Sequence, residues 1–264
     1  MVKGGMQQDP ILQDRLPVLP WMDARLRRLP GILPVEGGDW LRVDEAFGAQ
    51  MALRDRLLAD QRGAVHALLP EAEAAAGELL ALVLWQLGAG YQQAGGVVTR
   101  PDGVEVVVDP RQPLVTLGHL VQEDLCLMQP VGADYVLTGA VLCFPASWTL
   151  AQKLGRPLIG IHDGVQPYTE DVARRVQRLF EAIRPEQPLW RMNYLTYDDW
   201  ALHQPRREGE RRPRPVAHQF IRCERQCLLR LPVSRAVVFS IHSYLVAAHR
   251  FTAEELAALS EALH

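Results

Sequence analysis

The runs "HQFIRCERQCLLRLP" and "RAVVFSIHSYLV" read as two long strands joined through "PVSR". A turn that short joins only antiparallel neighbours, because a parallel partner needs a crossover of about a dozen residues or more. The hairpin therefore commits the C-terminal half to an antiparallel sheet. A third strand, "PLWRMNYLTY", precedes it, and "HLVQEDLCLMQPVGADYVLTGAVLCF" adds two more around a glycine-containing turn. "GVEVVVD" is β-branched and alternating, which marks another short strand. Helices interrupt the series. "SWTLAQKLG" is a short one closed by Gly155, and "YTEDVARRVQRLFEAI" places Val172, Val176, Leu179, Phe180 and Ile183 on one face. Strands and helices do not alternate as βαβ units, so the class is α+β.

The N-terminal part has a different texture. The first twenty residues, rich in Pro and Gln, read as an extended arm, and the Pro and Gly residues of "WMDARLRRLPGILPVEGGDWLRVDEAF" exclude a long helix there. Asp44 is placed to cap a helix over "EAFGAQMALRDRLLADQRGAVHALL", and Pro70 suits the first turn of "EAEAAAGELLALVLWQLGAGY". "TAEELAALSEALH" closes the chain as a helix begun by a Thr-x-x-Glu capping box. Residues 1–98 are thus expected to form the arm and a helical region, and 99–264 the sheet-bearing core, together one compact unit.

Lys and Arg number 28 against 31 Asp and Glu, a net charge of −3, which argues against nucleic acid as a partner. The longest apolar stretch, "LLALVLWQLGAGY", is too short for a bilayer, and no signal-like segment opens the chain, so a cytoplasmic location is expected. The arginine-rich "HQPRREGERRPRP" reads as a solvated loop. Cys126, Cys143, Cys223 and Cys227 have neither structural-zinc nor ferredoxin spacing, and no phosphate loop or dinucleotide motif is present. Cys143 lies in an apolar strand without a cationic neighbour in the sequence and reads as a buried thiol.

Three features remain as candidate chemistry. His162 ends the apolar run "PLIGIH" just before a turn. A neutral imidazole there is either a core or turn histidine bonded to backbone or an iron ligand against an apolar wall. In "RCERQC", alternation puts Arg222, Glu224 and Gln226 on one face, with Cys223, Arg225 and Cys227 on the other. That polar face lines a cavity or simply faces water. Arg191 and Asn193 share a face of "WRMNYL", with the same two alternatives.

Taken in order, "VQEDLCLM", "CFPASW", "KLGRPL", "IH", "WRMNYL" and "ERQCLLRLP" resemble the haem-dependent oxidative N-demethylase family, over residues 21–244. The resemblance implies a PAS-like antiparallel sheet behind the helical N-terminal region, holding a non-covalent haem b. It implies removal of a methyl group from a small secondary alkylamine such as dimethylamine, with O2 as oxidant and formaldehyde as product. Electrons would come from NADPH through a separate flavin and iron–sulfur reductase. His162 becomes the candidate axial ligand and metal-binding residue, with Arg191 and Asn193 beside the cofactor. Glu224, Arg222 and Gln226 become the candidate catalytic residues on the substrate side. Three positions depart from the family pattern: a single proline after "IH", Tyr194 after the asparagine, and His242 in the last strand. All three lie in segments expected to shape the pocket. A non-catalytic PAS-like haem or small-ligand sensor is the rival reading, since a fold does not choose a function. A family remnant whose cavity has lost haem is a third. The sequence leaves room for an oligomer.

Overall fold

The computed structural model describes residues 9–27, 31–132, 134–161 and 170–263. His162 lies outside the described residues, and so does the proline segment that follows it.

After the arm, α1 (Ala24–Arg27) and the two-residue β1 (Leu33–Pro34) lead into α2 (Phe47–Asp60), α3 (Arg62–Val65) and β2 (His66–Leu68). A 3-10 turn at Pro70–Ala72 opens α4 (Glu73–Gln86). Strands β3 (Gln92–Ala94), β4 (Val97–Thr99) and β5 (Glu105–Val107) form a small sheet of their own. Helix α5 (Pro113–Leu120) precedes β6 (Asp124–Val131) and β7 (Asp134–Val141). Then come α6 (Leu150–Lys153), α7 (Leu158–Ile161) and α8 (Glu170–Ala182). The long strands β8 (Leu189–Tyr197), β9 (Phe220–Arg230) and β10 (Val237–Ala247) and helix α9 (Ala253–Leu263) complete the chain.

The main sheet has the order β1-β8-β9-β10-β6-β7-β2, every pair antiparallel. The hairpin through 231–236 is present, with Arg230 opposite Val237. Its strands are buried along almost their whole length because both faces are covered. On one face, α4 and α5 pack Leu79, Val83, Leu114 and Leu117 against Leu125, Leu127, Leu229 and Val238. The arm and α9 extend that cover with Trp21 and Leu259 against Met192, Cys223 and Tyr244. On the other face, Phe180 and Ile183 of the α8 segment and Leu158 of α7 pack against Cys126, Met128, Leu228 and Ile241.

The N-terminal part is less helical than the sequence expectation, since β1, β2 and β3 fall within residues 1–98 and β4 begins there. The helix expected through residue 69 ends at Val65, and His66–Leu68 instead pairs with β7 as an edge strand. The helix expected through Tyr91 ends at Gln86. Residues 113–120, to which the sequence reading assigns no helix, form α5 with Pro113 in its first turn. The capping box at α9 is formed as expected. Thr252 Oγ1 accepts from Glu255 N–H at 3.2 Å, and Glu255 Oε2 accepts from Thr252 N–H at 2.7 Å. Asp44 does not cap α2 as expected: Ala46 holds the N-cap position, and Asp44, three residues before the helix starts, accepts from Ala46 N–H at 2.9 Å.

Candidate functional site

Register sets which side chains meet. Across β8, β9 and β10, Asn193, Glu224 and Ser243 form one row. Arg191, Gln226 and Ile241 form the next, and Leu189, Leu228 and Phe239 the one after. Leu195, Arg222 and Leu245 flank the first row on its other side. Side chains alternate across a strand, so all of these share one face, polar in its middle rows and apolar toward α8. The five described candidates, Arg191, Asn193, Arg222, Glu224 and Gln226, are therefore brought together.

Glu224 is the centre. It is 8% exposed, so its charge needs partners. Its Oε2 accepts from Asn193 Nδ2 at 2.9 Å and from Gln226 Nε2 at 3.0 Å. Asn193 Oδ1 accepts in turn from Glu224 N–H at 2.9 Å, a two-point clamp that fixes the asparagine rotamer. Oε1 is held less closely, 3.6 Å from a guanidinium nitrogen of Arg222. That arginine is buried and donates to the Phe144 carbonyl at 2.6 Å and the Leu202 carbonyl at 2.9 Å. Burial pushes the Arg191 pKa down, with Glu224 opposing the shift.

Two residues that sequence reasoning missed belong to the same face. Ser243 sits directly opposite Glu224, and its buried Oγ has no partner among the described residues. Tyr197, four residues beyond Asn193 on the same side of β8, is buried, and its hydroxyl has no partner among the described residues. Burial raises its pKa, with Arg222 and Arg212 opposing. The Arg222 Nε has no partner among them either. Buried polar atoms are normally bonded, so this group of orphans marks a place built to meet something else. Both residues were within reach of the sequence. The parity of "WRMNYLTY" places Tyr197, and counting back from the turn places Ser243.

Helix α7 packs on this same face. Ile161, the last residue of α7, packs on the cluster containing Leu228 and Ile241, next to Gln226. The structure thus offers an apolar wall, buried cations and unsatisfied donors on one surface, a donor set that fits an amphipathic macrocycle carrying carboxylates.

The departures at Tyr194 and His242 do not reach it. Parity turns both to the face opposite Glu224. Tyr194 packs edge-on to Trp21. His242 is buried between Glu123 (2.9 Å) and Asp44 (3.1 Å). A separate cleft of about 460 Å³, lined by Arg42, Asp44, Glu45 and Tyr244 among others, opens on that side.

The cysteines are free and buried. Burial pushes the Cys143 thiol up to about 12 even though Arg54 lies close enough to oppose it, a cation the sequence order did not reveal. Among the described residues, no group of three or more His, Cys, Asp or Glu is placed to hold a metal, and no helix is long and apolar enough to cross a membrane. A family model described as haem-dependent oxidative N-demethylase, alpha subunit-like, matches residues 31–264.

Proposed function

Since the chain belongs to the haem-dependent oxidative N-demethylase, alpha subunit-like family, we propose that it is the haem-binding oxygenase subunit of an enzyme that demethylates a small secondary alkylamine such as dimethylamine. The cofactor would be a non-covalent haem b held through His162, and its electrons would come from NADPH through a separate flavin and iron–sulfur reductase. When bound, the haem supplies the oxygen-activating chemistry. In balance, one N-methyl group and O2, with two electrons and two protons, give the N–H amine, formaldehyde and water.

The observation that carries this reading is the state of Glu224. Asn193 and Gln226 occupy one carboxylate oxygen, while the other faces Arg222 only at 3.6 Å. A small alkylamine is a cation at neutral pH, and that second oxygen holds its ammonium by a charge-assisted hydrogen bond. Arg222, 3.6 Å away, helps to aim the carboxylate. Arg191, cationic in a half-buried position, neutralises a haem carboxylate. Ser243 Oγ and Tyr197 Oη, both without partners among the described residues, offer hydroxyls for a proton or a water beside the substrate. The apolar rows toward α8 exclude bulk water, which strengthens each of these charges.

The test is formaldehyde release by the haem-loaded protein with dimethylamine and a reductase system. Glu224→Gln removes one partner of a buried charge pair, so kcat/KM for the amine should fall about 30-fold or more. Formaldehyde formation at the wild-type rate in Glu224→Gln would remove the glutamate from its role. Amine-dependent spectral change without formaldehyde would favour the sensor reading instead.

A further inference from the structure

We infer that the arginine-rich connection between β8 and β9 is the docking surface for an acidic electron-carrier protein. The inference rests on the oxygenase reading above, which requires two electrons per turnover from outside the chain.

The connection spans residues 198–219, and within 205–214 five arginines stand against two glutamates. Arg207, Arg211 and Arg214 are exposed. The chain as a whole carries −3, so this positive field is local, of a size to meet one face of a protein rather than to follow a long polyanion. The loop is not a free tail, because bonds at both ends fix it. Glu208 accepts from Lys153 Nζ at 2.7 Å and from Arg156 at 3.0 Å, and its N–H donates to Gln152 at 3.1 Å. At the far end Arg212 donates to the Thr196 carbonyl and lies 3.9 Å over the Tyr197 ring. Asp198 accepts from the N–H groups of Val216 and Ala217. The Arg206 Nε is buried without a partner, one more unsatisfied donor in this region.

These anchors give the loop its meaning. Arg156 stands six positions before His162 in the chain, and Tyr197 belongs to the face that holds Glu224. The exposed guanidinium groups therefore lie between the connection that precedes α7, bound through Arg156, and the edge of the proposed substrate face at Tyr197. The pattern of cations interrupted by Glu208 and Glu210 also suits a protein surface, where charge complementarity sets register and association rate.

The test uses an acidic plant-type [2Fe–2S] ferredoxin as probe, with binding to the full-length protein measured by calorimetry or NMR at low and moderate salt. Wild type should bind with an affinity that weakens about tenfold or more as the salt rises to 0.2 M. The triple variant Arg207→Glu/Arg211→Glu/Arg214→Glu should lose about tenfold or more at low salt. The control Arg56→Glu/Arg62→Glu/Arg111→Glu makes the same change in net charge near α2 and α5 and should lose much less. In the haem-loaded protein the loop variant should also slow reduction of the haem by the ferredoxin. Equal losses in the two triple variants, no salt-sensitive binding by wild type, or loop-dependent binding to single-stranded DNA instead of ferredoxin would each overturn the inference. Absence of a haem spectrum in wild type would defeat the oxygenase reading independently, since binding is measured with or without haem.

Discussion

Asn193 makes two bonds with one residue, to the Glu224 carboxylate and to its backbone N–H. Truncation to alanine leaves that buried carboxylate short of a donor, so Asn193→Ala should cost about 1–3 kcal/mol in denaturant unfolding. It should also weaken amine binding. His242 shows the same physics on the opposite face. Burial works to lower its pKa, but bonds to Asp44 and Glu123 outweigh burial and push it up to about 9. Burial works to raise the Asp44 pKa, yet His242, Gln122 and Gln13 hold it down to about 2. Tyr244 and Arg42 stand beside this cluster. A raised histidine pKa contributes stability fully present below its unfolded value near 6.5 and lost as pH rises through about 9. The lowered Asp44 pKa contributes stability that fades as pH falls through about 2. Melting curves should therefore show a decline from about pH 7 to 10 that is absent in His242→Gln, a variant destabilised by about 3 kcal/mol at pH 7. A flat wild-type profile over that range would contradict the assignment.

Among the elements, β9 and β10 were legible because one short turn joins two long stretches. That turn also fixes their register and sets Ser243 opposite Glu224, whereas Asn193 arrives from β8 across the connection of residues 198–219. What escaped were elements whose identity depends on neighbours. The run at residues 113–120 is short, with Thr116, Gly118 and His119 among its apolar residues, and gives no clear period to separate helix from strand. His66–Leu68 carries helix-favouring residues, yet it completes the sheet because β7 offers it an unpaired edge. Burial of charge in a central strand was equally hidden, since "RCERQC" looks solvent-facing until both faces are covered. Arg230 illustrates what such a charge does. It donates to the carbonyls of Phe180 and Ile183, to the Tyr135 hydroxyl and to the Arg235 carbonyl. A guanidinium there satisfies the open carbonyls that end α8 and fastens that helix to the sheet. Arg230→Leu should destabilise the protein by about 2–4 kcal/mol, with faster amide exchange concentrated in residues 176–183. Exchange unchanged there would mean that α8 is held by packing alone.

Across the whole molecule, the sheet separates two buried polar systems standing back to back on β9 and β10. The one around His242 ties the arm and α2 to the sheet through Gln13, Asp44 and Gln50. The one around Glu224 lies on the face that α7 and α8 cover. The departures from the family pattern at Tyr194 and His242 lie on the opposite face, turned away from the proposed substrate face. The role of His162 itself was drawn from the order of motifs and could not come from periodicity, because a lone histidine after an apolar run has no partner in the sequence to define it. The measurement that bears most directly on the account is a titration of the purified protein with haem, followed by absorption, for wild type and His162→Ala. Wild type should develop a Soret band that saturates at equimolar haem. His162→Ala, with an unchanged circular dichroism spectrum, should shift that band and lose about 100-fold or more in haem affinity. The same band and affinity in both proteins would contradict the account.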